Sequence, residues 1–253
     1  MIRVENIHKR FNEKHVLRGV SLVVNVGETL VVLGKSGVGK SVLLRLILRL
    51  MEVDQGRIII DEKDISTLTP KEMNEIRLKF GMLFQSSALF DSMNVEDNVG
   101  IALRTLTEKP EKAIHQRVAE CLKMVDLEGT ENLFPAELSG GMRKRVGLAR
   151  AVAMNPAYLL YDEPTTGLDP VMTESIAQII RKLQRELNVT SIVVTHDLQT
   201  AFSVADKMAL LHEGRIQLDG SIDEVRDSND PVVKEFIRGY ARKHKEEVHH
   251  IDD

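Results

Sequence analysis

Apolar positions change period along the chain, and each change marks an element. Leu22, Val24 and Val26 fall two apart, the period of a half-buried strand, and Gly27-Glu28 breaks the run. The next run, Thr29-Leu30-Val31-Val32-Leu33, has no polar alternation, as expected of a strand covered on both faces in a parallel sheet. A glycine-rich turn follows, then a Leu- and Ile-rich helix expected from about Lys40 to Met51. Gly56 to Asp61 reads as a further strand, and Thr69 with Pro70 at the first helical position opens a short helix. From about Ser86 to Met154 the period becomes helical. Asn94 is placed to cap a helix carrying Val95, Val99 and Leu103, and Ile114, Val118, Cys121, Leu122 and Val125 stripe the next one.

After Pro156 the α/β rhythm returns. Leu159-Leu160-Tyr161 reads as a buried strand, and Ile176, Ile179, Ile180, Leu183 and Leu187 stripe a helix. Ser191 to Thr195 is a strand, and Met208–Leu211 with Arg215–Leu218 form a hairpin around Glu213-Gly214. Asp230-Pro231 starts a last helix with Val232, Val233, Phe236, Ile237 and Tyr240 on one face. It can pack on its own domain or bind an accessory subunit. The charged tail 242–253, with His249 and His250, is expected to be solvated and frayed. The layout is an α/β core over residues 1–85 and 155–225, a helical lobe inserted at 86–154, and a C-terminal helix and tail over 226–253.

Composition narrows the function classes. In 253 residues, 43% hydrophobic and 28% charged content is ordinary for a globular protein and excludes collagen-like and disulfide-scaffold readings. A formal net charge of -4 gives no basic field for nucleic acid, so no nucleic-acid partner is expected. No segment approaches the roughly 20 apolar residues of a membrane-spanning helix. Cys121 lies on a helical apolar stripe and reads as a core residue, and a lone cysteine fits a reducing, cytoplasmic setting.

Three segments carry chemistry. Gly34-Lys35-Ser36-Gly37-Val38-Gly39-Lys40-Ser41 fits the phosphate-loop pattern G-x-x-x-x-G-K-[ST], after a buried strand and opening a helix. Glycines let backbone N–H groups curl around phosphates, Lys40 reaches the β- and γ-phosphates, and the Ser41 hydroxyl can ligate Mg²⁺. Leu159-Leu160-Tyr161-Asp162-Glu163 ends a strand in two carboxylates: Asp162 suits the metal, and Glu163 can orient or deprotonate the attacking water. Leu138-Ser139-Gly140-Gly141-Met142 opens a helix and is a second potential anion site. One chain thus carries one phosphate loop but two phosphate-binding elements on different lobes. A head-to-tail pair of chains resolves this, each nucleotide lying between one chain's loop and the other's serine-glycine turn.

In that order, the phosphate loop, Gln85, Leu138-Ser139-Gly140-Gly141, Asp162-Glu163, Gly167-Leu168-Asp169 and His196 resemble the motifs of an ABC-transporter nucleotide-binding subunit, over roughly residues 1–225. The resemblance implies a P-loop NTPase (RecA-like) core, an N-terminal antiparallel β subdomain and an inserted α-helical subdomain, with ATP and Mg²⁺ bound. It assigns ATP contacts to Gly34, Ser36, Gly37, Gly39, Lys40, Ser41, Ser139, Gly141 and Asp169. Phe11, where many relatives have Tyr, corresponds to the aromatic that stacks on adenine, with Val16 beside it. Gln85 corresponds to the residue that touches Mg²⁺ or the water and reports on the membrane partner. Asp169 belongs to the loop crossing the dimer seam, and His196 to the γ-phosphate contact.

Phe84 to Met93 and Gly141-Met142-Arg143-Lys144-Arg145 further resemble the ATPases of Mla-type (Mce-associated) phospholipid transporters. Met142 stands where the superfamily usually has Gln. This narrower resemblance implies a homodimer under an inner-membrane permease dimer, peripheral on the cytoplasmic face, with a lipid-binding substrate protein and a small accessory subunit. Ala88, Leu89 and Phe90 become candidates for the permease contact, against the alternative that they pack inside the helical lobe. An amino-acid importer, a cell-division complex, or a soluble ABC protein acting on ribosomes or DNA are the competing readings.

Overall fold

A computed structural model describes residues 1–238; Tyr240 and the tail 242–253, with His249 and His250, lie outside the described residues. Two sheets organise the described chain. Strands β1 (Ile2–Phe11), β2 (Lys14–Val24), β4 (Gln55–Ile60) and β5 (Lys63–Asp64) form an antiparallel sheet in the order β2-β1-β4-β5. The second sheet contains β3 (Thr29–Leu33), β6 (Phe80–Leu83), β7 (Tyr158–Asp162), β8 (Thr190–Thr195), β9 (Lys207–His212) and β10 (Arg215–Ser221). Its order is β10-β9-β3-β8-β7-β6, parallel throughout except for the edge strand β10.

Helix α1 (Lys40–Ile47) follows β3, and α2 (Pro70–Arg77) leads into β6. Between β6 and β7 come α3 (Val95–Leu106), α4 (Glu111–Met124) and α5 (Gly140–Val152). Then α6 (Pro170–Leu187) joins β7 to β8, α7 (Leu198–Val204) joins β8 to β9, and α8 (Ile222–Arg226) follows β10. A last helix, α9, covers residues 231–238.

Every residue of β3, β7 and β8 is buried, because helices or a second sheet cover both faces. Leu30, Val32, Leu160, Ile192 and Val194 point toward α1, α2 and the antiparallel sheet. Val31, Leu33, Leu159, Tyr161 and Val193 point the other way, into one hydrophobic cluster shared with α3, α4, α5, α6 and α7. The inserted helices therefore pack through a core continuous with the sheet. Cys121 belongs to it, fully buried, and burial pushes its thiol up to about 11. Val233 of α9 joins the same cluster, with Val232, Phe236 and Ile237 packed against it, so this helix docks on its own chain.

Local signals placed the helix starts well. Thr69 closes a capping box with Glu72, and the Asn94 side chain accepts from the Asp97 N–H. Two expectations are corrected. β2 stops at Val24, leaving Val26 71% exposed in the following turn rather than on the strand's buried face. The first helix ends at Ile47, because Arg49 turns into the left-handed region (φ 48°), where its guanidinium donates to the carbonyls of Ile65 and Leu68.

Candidate active site

The loop 34–41 leaves the C-terminal end of β3, which lies between β8 and β9 in the interior of the parallel sheet. Backbone geometry explains its glycines. Gly37 and Gly39 adopt φ +78° and +113°, which side-chain-bearing residues rarely do. A Cβ at Gly39 would sit 2.8 Å from Val16 Cγ1, and one at Gly34 would sit 2.5 Å from the Leu211 carbonyl. Over Gly37, by contrast, a Cβ would meet open space. Within residues 1–238, none of the N–H groups from Lys35 to Gly39 donates to another backbone group. Unpaired amides curled at a helix start, with room above them, fit a phosphate chain.

Lys40 is 5% exposed, and its ammonium donates to the carbonyls of Gly34 (2.7 Å) and Lys35 (3.1 Å). It also pairs with Glu163 Oε1 at 3.1 Å. The Ser41 hydroxyl donates to Asp162 Oδ1 at 2.7 Å. Serine hydroxyl and carboxylate thus meet at the edge of the loop, a hard oxygen pair of the kind Mg²⁺ takes, with phosphate oxygens and water filling the remaining positions. Burial raises the Asp162 pKa above the ordinary carboxylate range and the neighbouring Glu163 charge adds to this, while the Ser41 hydrogen bond opposes it.

Glu163 follows β7 directly and holds a left-handed φ of 49°, a strained conformation for a non-glycine residue. The turn aims its carboxylate into a ring of donors. Its Oε2 accepts from Thr166 Oγ1 (3.2 Å), Thr195 Oγ1 (3.3 Å) and the His196 N–H (3.4 Å), and lies 2.9 Å from His196 Nδ1. Glu163 is 7% exposed, while the His196 side chain remains half exposed at the rim. From separate parts of the sequence, the fold therefore brings Lys40, Ser41, Asp162, Glu163 and His196 into one site.

Other expected site residues lie elsewhere. Phe11, 39% exposed, ends β1 beside the turn into β2, with Lys9 5.7 Å from its ring centroid. Val16 packs on Gly39 and so links that hairpin to the loop. Ser36 is exposed on the loop itself. Gln85 is exposed, and its described contact is through the backbone: its carbonyl accepts from Lys144 at 2.5 Å. Ser139 caps α5, its hydroxyl accepting from the Met142 N–H at 3.2 Å, and Gly141 faces Met172 of α6. Asp169 caps α6 by accepting from the same Met172 N–H at 2.9 Å. Among the described residues, no hydrogen bond or ion pair joins Ser139, Gly141 or Asp169 to residues 34–41. Of the three candidate permease-contact residues, Ala88 and Phe90 are exposed, and Leu89 is half-buried against the helical core.

The sequence reading missed Thr166, Thr195 and Lys144 around Glu163. Lys144 had a signal. It falls on the buried stripe Gly141, Lys144, Leu148, Val152 of α5, where a lysine needs an acceptor. Thr195 had none, because a strand-end residue reaches the carboxylate only after β7 and β8 pair, and Thr166, three residues past Glu163 in the same turn, looks like any turn threonine.

A glycine loop between a buried parallel strand and a helix, facing a serine–carboxylate pair and a second carboxylate, defines a P-loop nucleotide-hydrolysing protein. The ABC transporter family profile matches residues 17–166, and the chain belongs to that family as an ABC-type ATPase. It is 42% identical over 94% of its length to the "Probable ribonucleotide transport ATP-binding protein mkl" of Mycobacterium tuberculosis H37Rv, spanning 66% of that relative. It is 38% identical, over 94% of its length and 90% of the relative, to the "Intermembrane phospholipid transport system ATP-binding protein MlaF" of Haemophilus influenzae. The "Methionine import ATP-binding protein MetN 2" of Bacillus cereus is 36% identical over 96% of the chain and 73% of the relative. Among solved structures, "Dimeric Structure of MJ0796, a Bacterial ABC Transporter Cassette" superposes with a TM-score of 0.80 at 33% identity, covering 88% of this chain and 99% of that one.

Proposed function

We propose that the chain is the ATPase of a phospholipid-transporting ABC complex, working as a homodimer in which each ATP lies between one protomer's loop 34–41 and its partner's Ser139 turn. The observation that carries the hydrolytic reading is the convergence of Lys40, Ser41, Asp162, Glu163 and His196 at the end of the parallel sheet. Lys40 exchanges its carbonyl and Glu163 partners for phosphate oxygens, helped by the free amides of the loop. That exchange releases one oxygen of Glu163, which then accepts a proton from the attacking water, while Thr166 and Thr195 keep the carboxylate aimed. His196, at the rim, supplies a donor to the γ-phosphate. Ser41 and Asp162 would hold Mg²⁺, with Gln85 as a further oxygen ligand; bound there, the ion would offset charge on the transferring phosphate. Phe11 offers a ring to adenine, and Val16 sets that hairpin against the loop.

The phospholipid cargo is supported by the two-way coverage of the MlaF match and by the Met142-Arg143-Lys144-Arg145 run. The names of the relatives also include ribonucleotide and methionine transport. None of the described helices is long and apolar enough to cross a membrane. On the strength of the family match and the MlaF likeness we assign the chain to the cytoplasmic face of the inner membrane, held there by a permease dimer. Exposed Phe84 and Phe90 offer apolar contact beside Gln85. A lipid-binding substrate protein and a small accessory subunit complete the proposed complex.

Glu163→Gln tests the chemistry. Steady-state turnover should fall by on the order of 10²-fold or more with ATP binding retained. Near-normal hydrolysis would remove Glu163 as the base. Affinity isolation of the tagged chain from native membranes in mild detergent tests the cargo: a multi-span permease with bound phospholipid is expected, and a solute permease without lipid would overturn it.

A further inference from the structure

Among the described residues, one buried cation has no part in the proposed hydrolysis. Lys144, 5% exposed on α5, directs its ammonium at two backbone carbonyls from different parts of the chain: Gln85 at 2.5 Å and Glu163 at 3.3 Å. Arg150, further along the same helix, grips the next stretch of the Gln85 loop through the carbonyls of Ser87 (2.5 Å) and Ala88 (2.7 Å). Between them Gly147 lets α5 lie flat on that segment, because a Cβ there would come 2.6 Å from Leu83 Cδ1 and 3.4 Å from Ser87 Cβ. Ser87 and Ala88 both hold left-handed φ values, 62° and 46°, which persist only where surroundings impose them.

An apolar side chain would fill the Lys144 position without taking a charge out of water. Burial pushes the Lys144 ammonium toward losing its proton, whereas the Glu163 and Asp162 charges favour keeping it. With three donors on one flexible stem, the ammonium can hold both carbonyls at once.

We propose that Lys144 is a positioning residue that ties the backbone of Glu163 to that of Gln85, so that a shift of the 84–90 segment, exposed except at Ser87 and Leu89, re-aims the Glu163 carboxylate. Arg150 makes the segment move as one piece with α5, and Ser139 at the other end of that helix moves with it. The tie regulates the site of the preceding section and rests on Glu163 being the base.

The test measures ATP hydrolysis by the full-length chain with Lys144→Met, Lys144→Gln and Glu163→Gln, singly and with Glu163→Gln combined with each Lys144 variant. Lys144→Met should lower kcat about 10-fold or more with the KM for ATP within about 3-fold. In the Glu163→Gln background the same change should alter residual hydrolysis less than about 2-fold, because the residue through which Lys144 acts is already gone. A merely structural lysine would lower both backgrounds equally, and that result, or an unchanged kcat, overturns the proposal. If Lys144→Met does not fold, Lys144→Gln is read by the same two criteria. Near-normal turnover in Glu163→Gln alone would sink the base assignment and this proposal together. A large Glu163→Gln loss beside a silent Lys144 sinks the proposal only.

Discussion

The two turns we propose to hold the nucleotide's phosphates are built differently. The loop 34–41 is finished within one molecule: two glycines hold positive φ, Val16, Leu17 and Leu211 press on it, and Lys40 and Ser41 already reach Glu163 and Asp162. The Ser139 turn is an exposed helix start: its hydroxyl accepts one capping hydrogen bond and the Arg143 guanidinium donates to the Leu138 carbonyl, but among the described residues no carboxylate and no buried cation is drawn onto it. A site that needs strong, dry electrostatics is preorganised by burial. A site that must engage and release a second surface is left open, and its strength waits for the partner.

Composite ATP sites would give this contrast its largest effect. Lys40→Met should weaken ATP binding on the order of 10²-fold or more, and Ser139→Ala should leave ATP binding to the single chain within about 2-fold while hydrolysis falls about 10-fold or more. A mixture of the two variants should hydrolyse faster than either alone, because one of the two sites then pairs an intact loop with an intact Ser139 turn. No gain on mixing, with mixed dimers shown to form, would break the head-to-tail arrangement and with it the reading of the Ser139 turn as half a site.

Alanine at the glycines sharpens the comparison next. Gly39→Ala combines a φ of +113° with contacts under 3 Å to Val16 and Leu17, so it should destabilise by about 1–3 kcal/mol. Gly140→Ala finds its nearest neighbour at 3.6 Å on a helix and should be neutral or stabilising by up to about 1 kcal/mol. Denaturant unfolding of both variants decides it, and equal losses would mean the two turns are equally constrained.

The smallest effects are electrostatic. Asp162 is an acid whose pKa is raised in the folded chain, so keeping it ionised above that pKa opposes folding, and the penalty fades as pH drops. Asp162→Asn should therefore raise Tm slightly at neutral pH without nucleotide, while weakening Mg²⁺-dependent ATP binding. As pH is lowered in the parent, metal-dependent binding should weaken at a higher pH than an ordinary carboxylate would give. The Ser139 turn, with no titratable side chain of its own, should be unmoved. Cys121 provides an internal control of core integrity. With its thiol near pH 11, labelling by a thiol reagent at pH 8 should run about 10²-fold slower than in denaturant.

Periodicity alone was enough to read most elements. β3, β7 and β8 were legible because burial on both faces leaves no polar position in the run, and α2, α3 and α5 because Thr69, Asn94 and Ser139 cap them through contacts three residues away. The end of α1 and the exposure of Val26 were not legible, since the first depends on carbonyls at 65 and 68 finding Arg49 and the second on where β2 stops pairing.

The same division runs through the site. Loop glycines, Lys40, Ser41, Asp162 and Glu163 were legible as candidates in the sequence itself, because the patterns that mark them span only a few residues, and the fold brings them together. The surroundings of Glu163 were completed only in three dimensions: Thr195 and His196 reach its carboxylate because β7 and β8 pair in register, Lys144 reaches its carbonyl because α5 lies under the turn, and Thr166 closes on the carboxylate from the same turn. A contact between residues distant in sequence leaves no local pattern of its own, so Thr195 looks like an ordinary strand-end residue, and the buried Lys144 shows only that it needs some acceptor, until packing brings both to Glu163.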